Sequence, residues 1–595
     1  MELLNLDGVI EKGVFEIPSY QRGYAWQDRQ LKDFWNDLEH VSKLGDKFHY
    51  MHSLTLRESK NEFESNAFEI IDGQQRLATS LILLGLLAKT TQNKDPKYSL
   101  INLEPILSYK YYGLSEAFRA ITEEEDLEKF KTSFYAKNLI EAYEFFQEKI
   151  RNLPNTTLNK LLDALTKKML FSVVELNDNR IDPFSSFETI NNRGKDLSTL
   201  ELLKNRLHFV AHKICDKEEL ENLQQEINDT YTMIYHDLRF FKDDHLESFL
   251  KHFVAYYYGE NSKFKERLLD TAFDAHKKYD DLYDEYEKIN DLLLYLSYSS
   301  KVWYFLHTLD DEELRIEITP KMRGLLDKMR RLNALSDNAF LPLLLSLLTI
   351  QLAVRSGSER HYTTKELEGL LEYLERFGFL IYGVAGKNTT KNEWIELAFQ
   401  AFRAYRSWED RITIEDLPTL EKNFFKGEHS GLELLEENIH SKKNTEKWYQ
   451  WGKALNYLLY EYELYHNPET TLNFDGSIES IEHILPQKPD QGYSAKEKSW
   501  AKNPNIVHAL GNLLLISKNA NSSLSNKPFD EKRKEYLKGS YSEKEVAKNA
   551  SFGIVEIQQR SEKLLDFLIA RYRIAELVGE SAIKAFKNAL LKEIK

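Results

Sequence analysis

Ile481-Glu482-His483-Ile484-Leu485-Pro486 is the stretch on which the reading of this chain turns, because two downstream segments complete it: Leu510-Gly511-Asn512-Leu513-Leu514-Leu515, then Asn519-Ala520-Asn521. Ile481–Leu485 and Leu513–Ile516 read as two strands, with an Asn/Ser-rich turn after them and a helix from about Asp530. A Glu-His pair by itself is usually structural or solvent-exposed, and an Asn/Ser cluster is usually a turn. The arrangement changes that reading. A strand with Glu-His, a loop, a strand opening with Asn and a turn into a helix with another Asn can enclose one hard cation. Magnesium takes carboxylate and amide oxygens and keeps several waters. Histidine has the unperturbed pKa best suited to taking a proton from water near neutrality, while a metal offsets charge developing on a phosphate. His508 lies nearby, but nothing in its sequence setting separates it from an ordinary loop histidine.

These residues resemble the HNH, or ββα-metal, nuclease family in the variant found at the C-terminus of GmrSD-type restriction proteins. The matching stretches are Glu482 to Pro486, Gly511-Asn512-Leu513, and Asn521 to Phe529 with Lys532 beyond. The resemblance implies His483 as general base, Asn512 as the residue orienting it, and Glu482 and Asn521 as metal ligands. Lys532 and Arg533 follow as DNA phosphate contacts. Many HNH motifs end in His where this chain has Asn521. Oxygen donors favour Mg2+ or Mn2+ over structural zinc.

Three motifs mark the other end of the chain: Ile17-Pro18-Ser19-Tyr20-Gln21-Arg22 with Trp26, Ile70-Ile71-Asp72-Gly73-Gln74-Gln75-Arg76, and Phe187-Glu188-Thr189-Ile190-Asn191-Asn192-Arg193-Gly194. Gly73 permits a tight turn, so N–H groups at the next helix start can meet an anion. Arg22, Arg76 and Arg193 offer forked donors suited to phosphate, and Asp72 can hold a cation or position a water. The competing reading is a strand–turn–helix whose arginines form internal salt bridges, and the residues alone leave both open. There is no Walker-type Gly-rich Lys-Ser/Thr loop. Together the motifs look like the GmrS-type N-terminal domain, related to the ParB/sulfiredoxin-like fold. That resemblance implies binding or hydrolysis of a nucleoside triphosphate and sensing of modified DNA. Asp72, Gly73, Gln74, Gln75 and Arg76 then form the nucleotide site, with Gln21, Arg22 and Asn192 as further candidates.

The chain has 595 residues, too many for one hydrophobic core. Three regions are expected: a sensor domain over 1–206, a helical spacer over 207–449 where amphipathic aromatic-rich segments dominate, and a nuclease domain over 450–595. The fold class is α+β, with the ββα-metal unit embedded in helices. Phe340–Val354 is the longest nearly uncharged apolar run; it is too short to span a bilayer and reads as a buried helix. The N-terminus lacks a basic segment followed by an apolar run, and Cys215 is the single cysteine, so a reducing cytoplasm is expected. Net charge is −15, but residues 481–595 hold 20 Lys and Arg against 14 Asp and Glu, leaving 60 against 81 for the rest. A duplex is drawn to the C-terminal region and repelled by most of the remainder.

The function these readings imply is a nucleotide-regulated endonuclease that cuts modified phage DNA in anti-phage defence, with a homodimer compatible. Two alternatives stand beside it: a nucleotide-dependent DNA sensor or scaffold that cuts inefficiently, and an HNH nuclease directed at RNA.

Overall fold

Among the described residues the first third of the chain forms six strands, most of them short apolar runs: β1 (Glu2–Asn5), β2 (Val14–Ile17), β3 (His49–Glu58), β4 (Ala67–Asp72), β5 (Leu107–Tyr109) and β6 (Met169–Glu175). The computed structural model describes residues 2–594 except 19–20, 60–65, 94–97, 99–105, 111–112, 124, 177–197, 276, 280, 313, 355–357, 359–361, 388–389, 471–478 and 490. The chain divides into two compact units, Met1–Phe305 and Leu306–Lys595, so the helical stretch expected over 207–449 is shared between them.

In the first unit the strands make one mixed sheet in the order β1-β6-β3-β4-β2-β5. β3 runs antiparallel to β4 and parallel to β6, while β2 runs parallel to both β4 and β5. β4 leads through Gly73 into helix Gln74–Thr90, which is buried from Leu77 to Ala88 because almost every side chain there is apolar or small. A helix apolar on all sides must be covered on all sides; helices Phe134–Ile150 and Asn155–Lys167 pack against it. Helix Asp28–Lys43 shows the one-sided pattern instead, burying Leu31, Phe34, Trp35, Leu38 and Val41 at helical spacing.

Gly73 is fixed by geometry. Its φ of 99° is in the left-handed region, and a Cβ would come within 2.9 Å of the Ser53 carbonyl oxygen in β3. Gly73→Ala is expected to destabilise this unit by about 1–3 kcal/mol, the usual cost of a strained backbone position. The check is a lower urea midpoint with an unchanged far-ultraviolet dichroism spectrum.

The second unit is helical around two small hairpins. The first is β7 (Phe425–Lys426) with β8 (His429–Ser430); the second is β9 (Glu479–His483) with β10 (Leu513–Ser517). The apolar run beginning at Phe340 forms helix Leu341–Ala353, buried from Leu341 to Gln351 as its composition requires. No helix among the described residues is long and apolar enough to cross a membrane. Helix Thr364–Phe377 continues as a π-helical turn, Gly378–Val384. At Gly378 a Cβ would stand 2.9 Å from the Phe340 ring, so the missing side chain lets that aromatic pack against the wider turn.

Candidate active site in the C-terminal hairpin

β9 and β10 pair antiparallel with His483 opposite Leu513 and Glu482 opposite Leu514. The hairpin sits on a core that includes Ile484, Leu485, Leu514, Ile516, Leu524, Tyr536 and Ile557. Helix Ile554–Arg571 closes on the loop before β10. Arg560 donates to the carbonyls of Gly511 (2.9 Å) and Leu513 (2.7 Å), and Gly511 N–H donates to Ser561 Oγ (2.8 Å). A Cβ on Gly511 would lie 2.0 Å from the Ile557 carbonyl oxygen, so only glycine lets the helix approach this closely.

Adjacent residues of a strand point to opposite faces, and the two central residues of the motif have different surroundings. Glu482 shares the Leu514 face and is 3% exposed. Its Oε1 accepts from Lys532 Nζ at 2.5 Å and from the Tyr536 hydroxyl at 3.1 Å. Burial raises the Glu482 pKa against the opposing pull of Lys532, and burial lowers that of Lys532. His483 meets a second histidine: its Nε2 lies 3.0 Å from His508 Nδ1, while Gln487 Nε2 lies 3.3 Å from its Nδ1. The Tyr449 ring stacks on His508 and tilts over His483, with centroids 5.8 and 4.9 Å away. Burial pushes the His483 imidazole down to about 3, with the His508 and Lys532 charges adding to the shift. His508 is also lowered by burial. Both rings are neutral near pH 7.

A cavity of about 330 Å³ opens here, lined by Tyr449, Glu482, His483, Gln487 and Asn521 among others. Asn521 lies on the short helix Lys518–Leu524, started by Ser517, whose Oγ accepts from Ala520 N–H. Its Nδ2 donates to Ser480 Oγ (2.7 Å) and the Ile481 carbonyl (3.2 Å). The motif histidine, the carboxylate beside it and the downstream asparagine therefore share one opening. Glu482 and Asn521 offer a carboxylate and an amide oxygen, a donor set that fits a hard divalent ion in kind. Among the described residues there is no grouping of three His, Cys, Asp or Glu side chains suited to a metal. An ion at this opening would depend on water for most of its coordination.

Two expectations need correction. Lys532, expected to meet DNA phosphate, is fully buried and bonded to Glu482 and to the His483 carbonyl, so it supports the site from beneath. Asn512, expected to orient the His483 ring, contacts the chain on either side of the loop instead. Its Oδ1 accepts from Leu485 N–H (2.8 Å), and its Nδ2 donates to the carbonyls of Leu485 (2.9 Å) and Val507 (2.7 Å). Arg533 is half-buried and donates to the Ala547 carbonyl. His508, Tyr449 and Gln487 are the site residues that sequence reasoning missed. Tyr449 precedes the motif by more than thirty residues, and no local pattern marks any of the three.

The N-terminal motifs also converge. Gln75 accepts from Ala25 N–H (2.8 Å) and donates to the Gly23 carbonyl (3.0 Å), while Gln21 donates to the carbonyls of Ile70 and Ile71. The first motif is thus laced onto the β4 turn. Arg76 pairs with Asp72 at 3.2 Å and donates to the Ser53 carbonyl at 3.0 Å, the internal salt bridge left open by the sequence. Arg22 is buried. Gln74 opens the helix with its Oε1 buried and without a hydrogen-bond partner among the described residues. Asn192 lies outside the described residues.

No curated protein matches this chain at significance. The N-terminal domain of GmrSD restriction endonucleases matches residues 3–208, and the C-terminal domain of the same endonucleases matches residues 435–567. The first match contains the Asp72–Arg76 turn and the sheet around it; the second contains the hairpin, its cavity and every residue lining it. With both domains present in order, the chain belongs to the GmrSD restriction endonuclease family as a single-chain fusion.

Proposed function

We propose that this protein is a modification-dependent DNA endonuclease that cuts at the β9–β10 hairpin by metal-assisted HNH chemistry, under control of a nucleoside triphosphate bound at the N-terminal unit. The observation that carries the reading is the enclosure of a neutral His483 at a cavity shared with Glu482 and Asn521. Family membership supplies a nuclease acting on DNA; modification dependence and nucleotide control rest on the resemblance to GmrSD-type proteins.

His483 takes a proton from a water at the cavity. The water oxygen forms a bond to phosphorus as the phosphodiester P–O bond breaks, and the departing alkoxide is protonated from solvent. Asn512 and Arg560 keep the strand ends fixed, and Lys532 compensates the Glu482 charge from below. A divalent ion held by the Glu482 carboxylate and the Asn521 amide oxygen would supply positive charge to the phosphate. At the N-terminal unit, the Gln74 helix start, Asp72 and Arg76 are the groups offered to a triphosphate, in keeping with the affinity of helix N-termini for anions.

The decisive assay is magnesium-dependent cleavage of phage DNA with and without modified cytosines, each nucleoside triphosphate present or absent. Cutting confined to modified DNA and altered by one nucleotide supports the reading. Cutting of RNA alone reassigns the substrate.

One observation favours a second reading, a DNA sensor that grips without cutting: Lys532 already neutralises Glu482. Magnesium separates the two. For a metal-dependent nuclease, millimolar Mg2+ is expected to raise the melting temperature of the wild-type chain by a few degrees, the size set by mass action. The rise should vanish in Glu482→Ala and in Asn521→Ala, each compared with its own metal-free state. An equal rise in all three chains removes these residues from any metal site.

A further inference from the structure

Two imidazole nitrogens 3.0 Å apart, His483 Nε2 and His508 Nδ1, require one to carry the proton and the other to accept it. The other nitrogen of His483 decides which. Gln487 presents its side-chain NH2 to His483 Nδ1 at 3.3 Å, and an amide NH2 can only donate, so Nδ1 is the acceptor. A neutral imidazole with a lone pair on Nδ1 has its hydrogen on Nε2. That hydrogen points at His508 Nδ1. His508 in turn is pinned by the Tyr449 ring stacked on it at 25°, and by the buried loop that Asn512 ties at Val507.

We infer that His508 is the positioning residue of this nuclease site, accepting the His483 Nε2–H and so holding His483 in the tautomer whose Nδ1 lone pair faces the cavity. This rests on the reading of His483 as general base. It gives His508 the orienting task that Asn512 does not perform. The geometry also explains what happens when the base works. As Nδ1 takes a proton from water, His483 becomes a cation whose Nε2–H remains on the His508 lone pair, and that hydrogen bond strengthens as charge develops. Gln487, beside Nδ1 and on the cavity wall, must release its hydrogen bond to Nδ1 for a water to donate there. Without His508 the ring can tautomerise or turn, and Nδ1 is presented as an acceptor only part of the time. Loss of the correct tautomer at an acid–base histidine is costly in rate even when the surrounding geometry is intact.

The test compares His508→Leu with His508→Asn in the full-length chain, measuring kcat and KM for DNA cleavage. Leucine fills the volume but offers no acceptor. Asparagine can place its side-chain oxygen where imidazole carries Nδ1. The expected result is a drop in kcat of about 100-fold for His508→Leu with KM within about 3-fold of wild type, and recovery of most of that loss in His508→Asn. Thermal melting of both variants separates this from unfolding, since a merely structural role would lower kcat in proportion to the folded fraction in both. Wild-type kcat in His508→Leu, or equal losses in the two variants, overturns the inference. His483→Ala is the parallel control: if it cuts as well as wild type, the base assignment fails, whereas if it is inactive while both His508 variants are fully active, only the positioning role fails.

Discussion

A His483→Ala chain is expected to lose DNA cleavage by about 10³-fold or more in kcat while keeping its fold and its affinity for DNA. A positioned general base contributes about 10²–10⁴-fold, and His483 supplies the neutral imidazole lone pair at the cavity. Glu482 is committed to Lys532 and Tyr536; Asn521 and Gln487 carry amides that do not titrate. The imidazole is buried against Tyr449 and His508, so alanine leaves a small void, and His483→Gln serves as a volume-matched companion. Single-turnover cleavage with excess protein reports the chemical step, and a filter-binding isotherm reports affinity. Undiminished cutting in both variants would place the base elsewhere.

Lys532→Ala should give the largest loss of stability, about 3–5 kcal/mol, the range found when one partner of a buried ion pair is removed. Lys532 is wholly buried and its Nζ donates to Glu482 Oε1, to the His483 carbonyl at 2.9 Å and to the Ile484 carbonyl at 3.3 Å. Removing it strands a carboxylate and two carbonyls beneath the site. The remedy is as informative as the damage. A Glu482→Gln, Lys532→Met double variant removes both charges of the pair and should recover most of the lost stability in urea denaturation, though not the activity. The pH dependence follows from the Glu482 pKa, already raised by burial. With Lys532 gone it rises further, so the folded state holds a proton that the unfolded state has released. That contribution is present below the ordinary carboxylate range and lost as pH rises through the elevated value, so the Lys532→Ala deficit should widen from pH 4 toward neutrality. A deficit that is flat with pH would show that Glu482 is not the stranded charge.

β10 was legible because it is short and apolar: Leu513–Ile516 was expected and it spans Leu513–Ser517, whereas the strand expected over Ile481–Leu485 lies over Glu479–His483, whose mostly polar residues give no apolar run to mark its bounds. β2 and β4 are short, largely apolar runs of the same kind. β3, at ten residues the longest strand among those described, was not legible, because His49, His52, Ser53, Thr55 and Arg57 break its apolar run. Its place between β6 and β4 comes from long-range pairing that no local window contains. The site divides the same way. Glu482, His483 and Asn521 were singled out by their spacing, and the fold brings them to one opening. His508 was passed over, since a histidine in a loop gains meaning only when a partner ring is brought within hydrogen-bonding distance. Lys532 was misassigned because charge in a sequence suggests solvent, while an ion pair between residues fifty positions apart lets a lysine lie fully inside.

The grip of helix Ile554–Arg571 on the Gly511 loop sets an order of events during synthesis. Both strands of the hairpin, both histidines and Asn521 leave the ribosome before Ile557, Arg560 and Ser561 do. Until those residues emerge, the Gly511 and Leu513 carbonyls lack the guanidinium that holds them and the loop lacks its packing wall. A nascent chain therefore displays the whole motif before the helix that holds it has emerged, and the hairpin gains its working geometry only once Arg560 and Ser561 can reach the Gly511 loop.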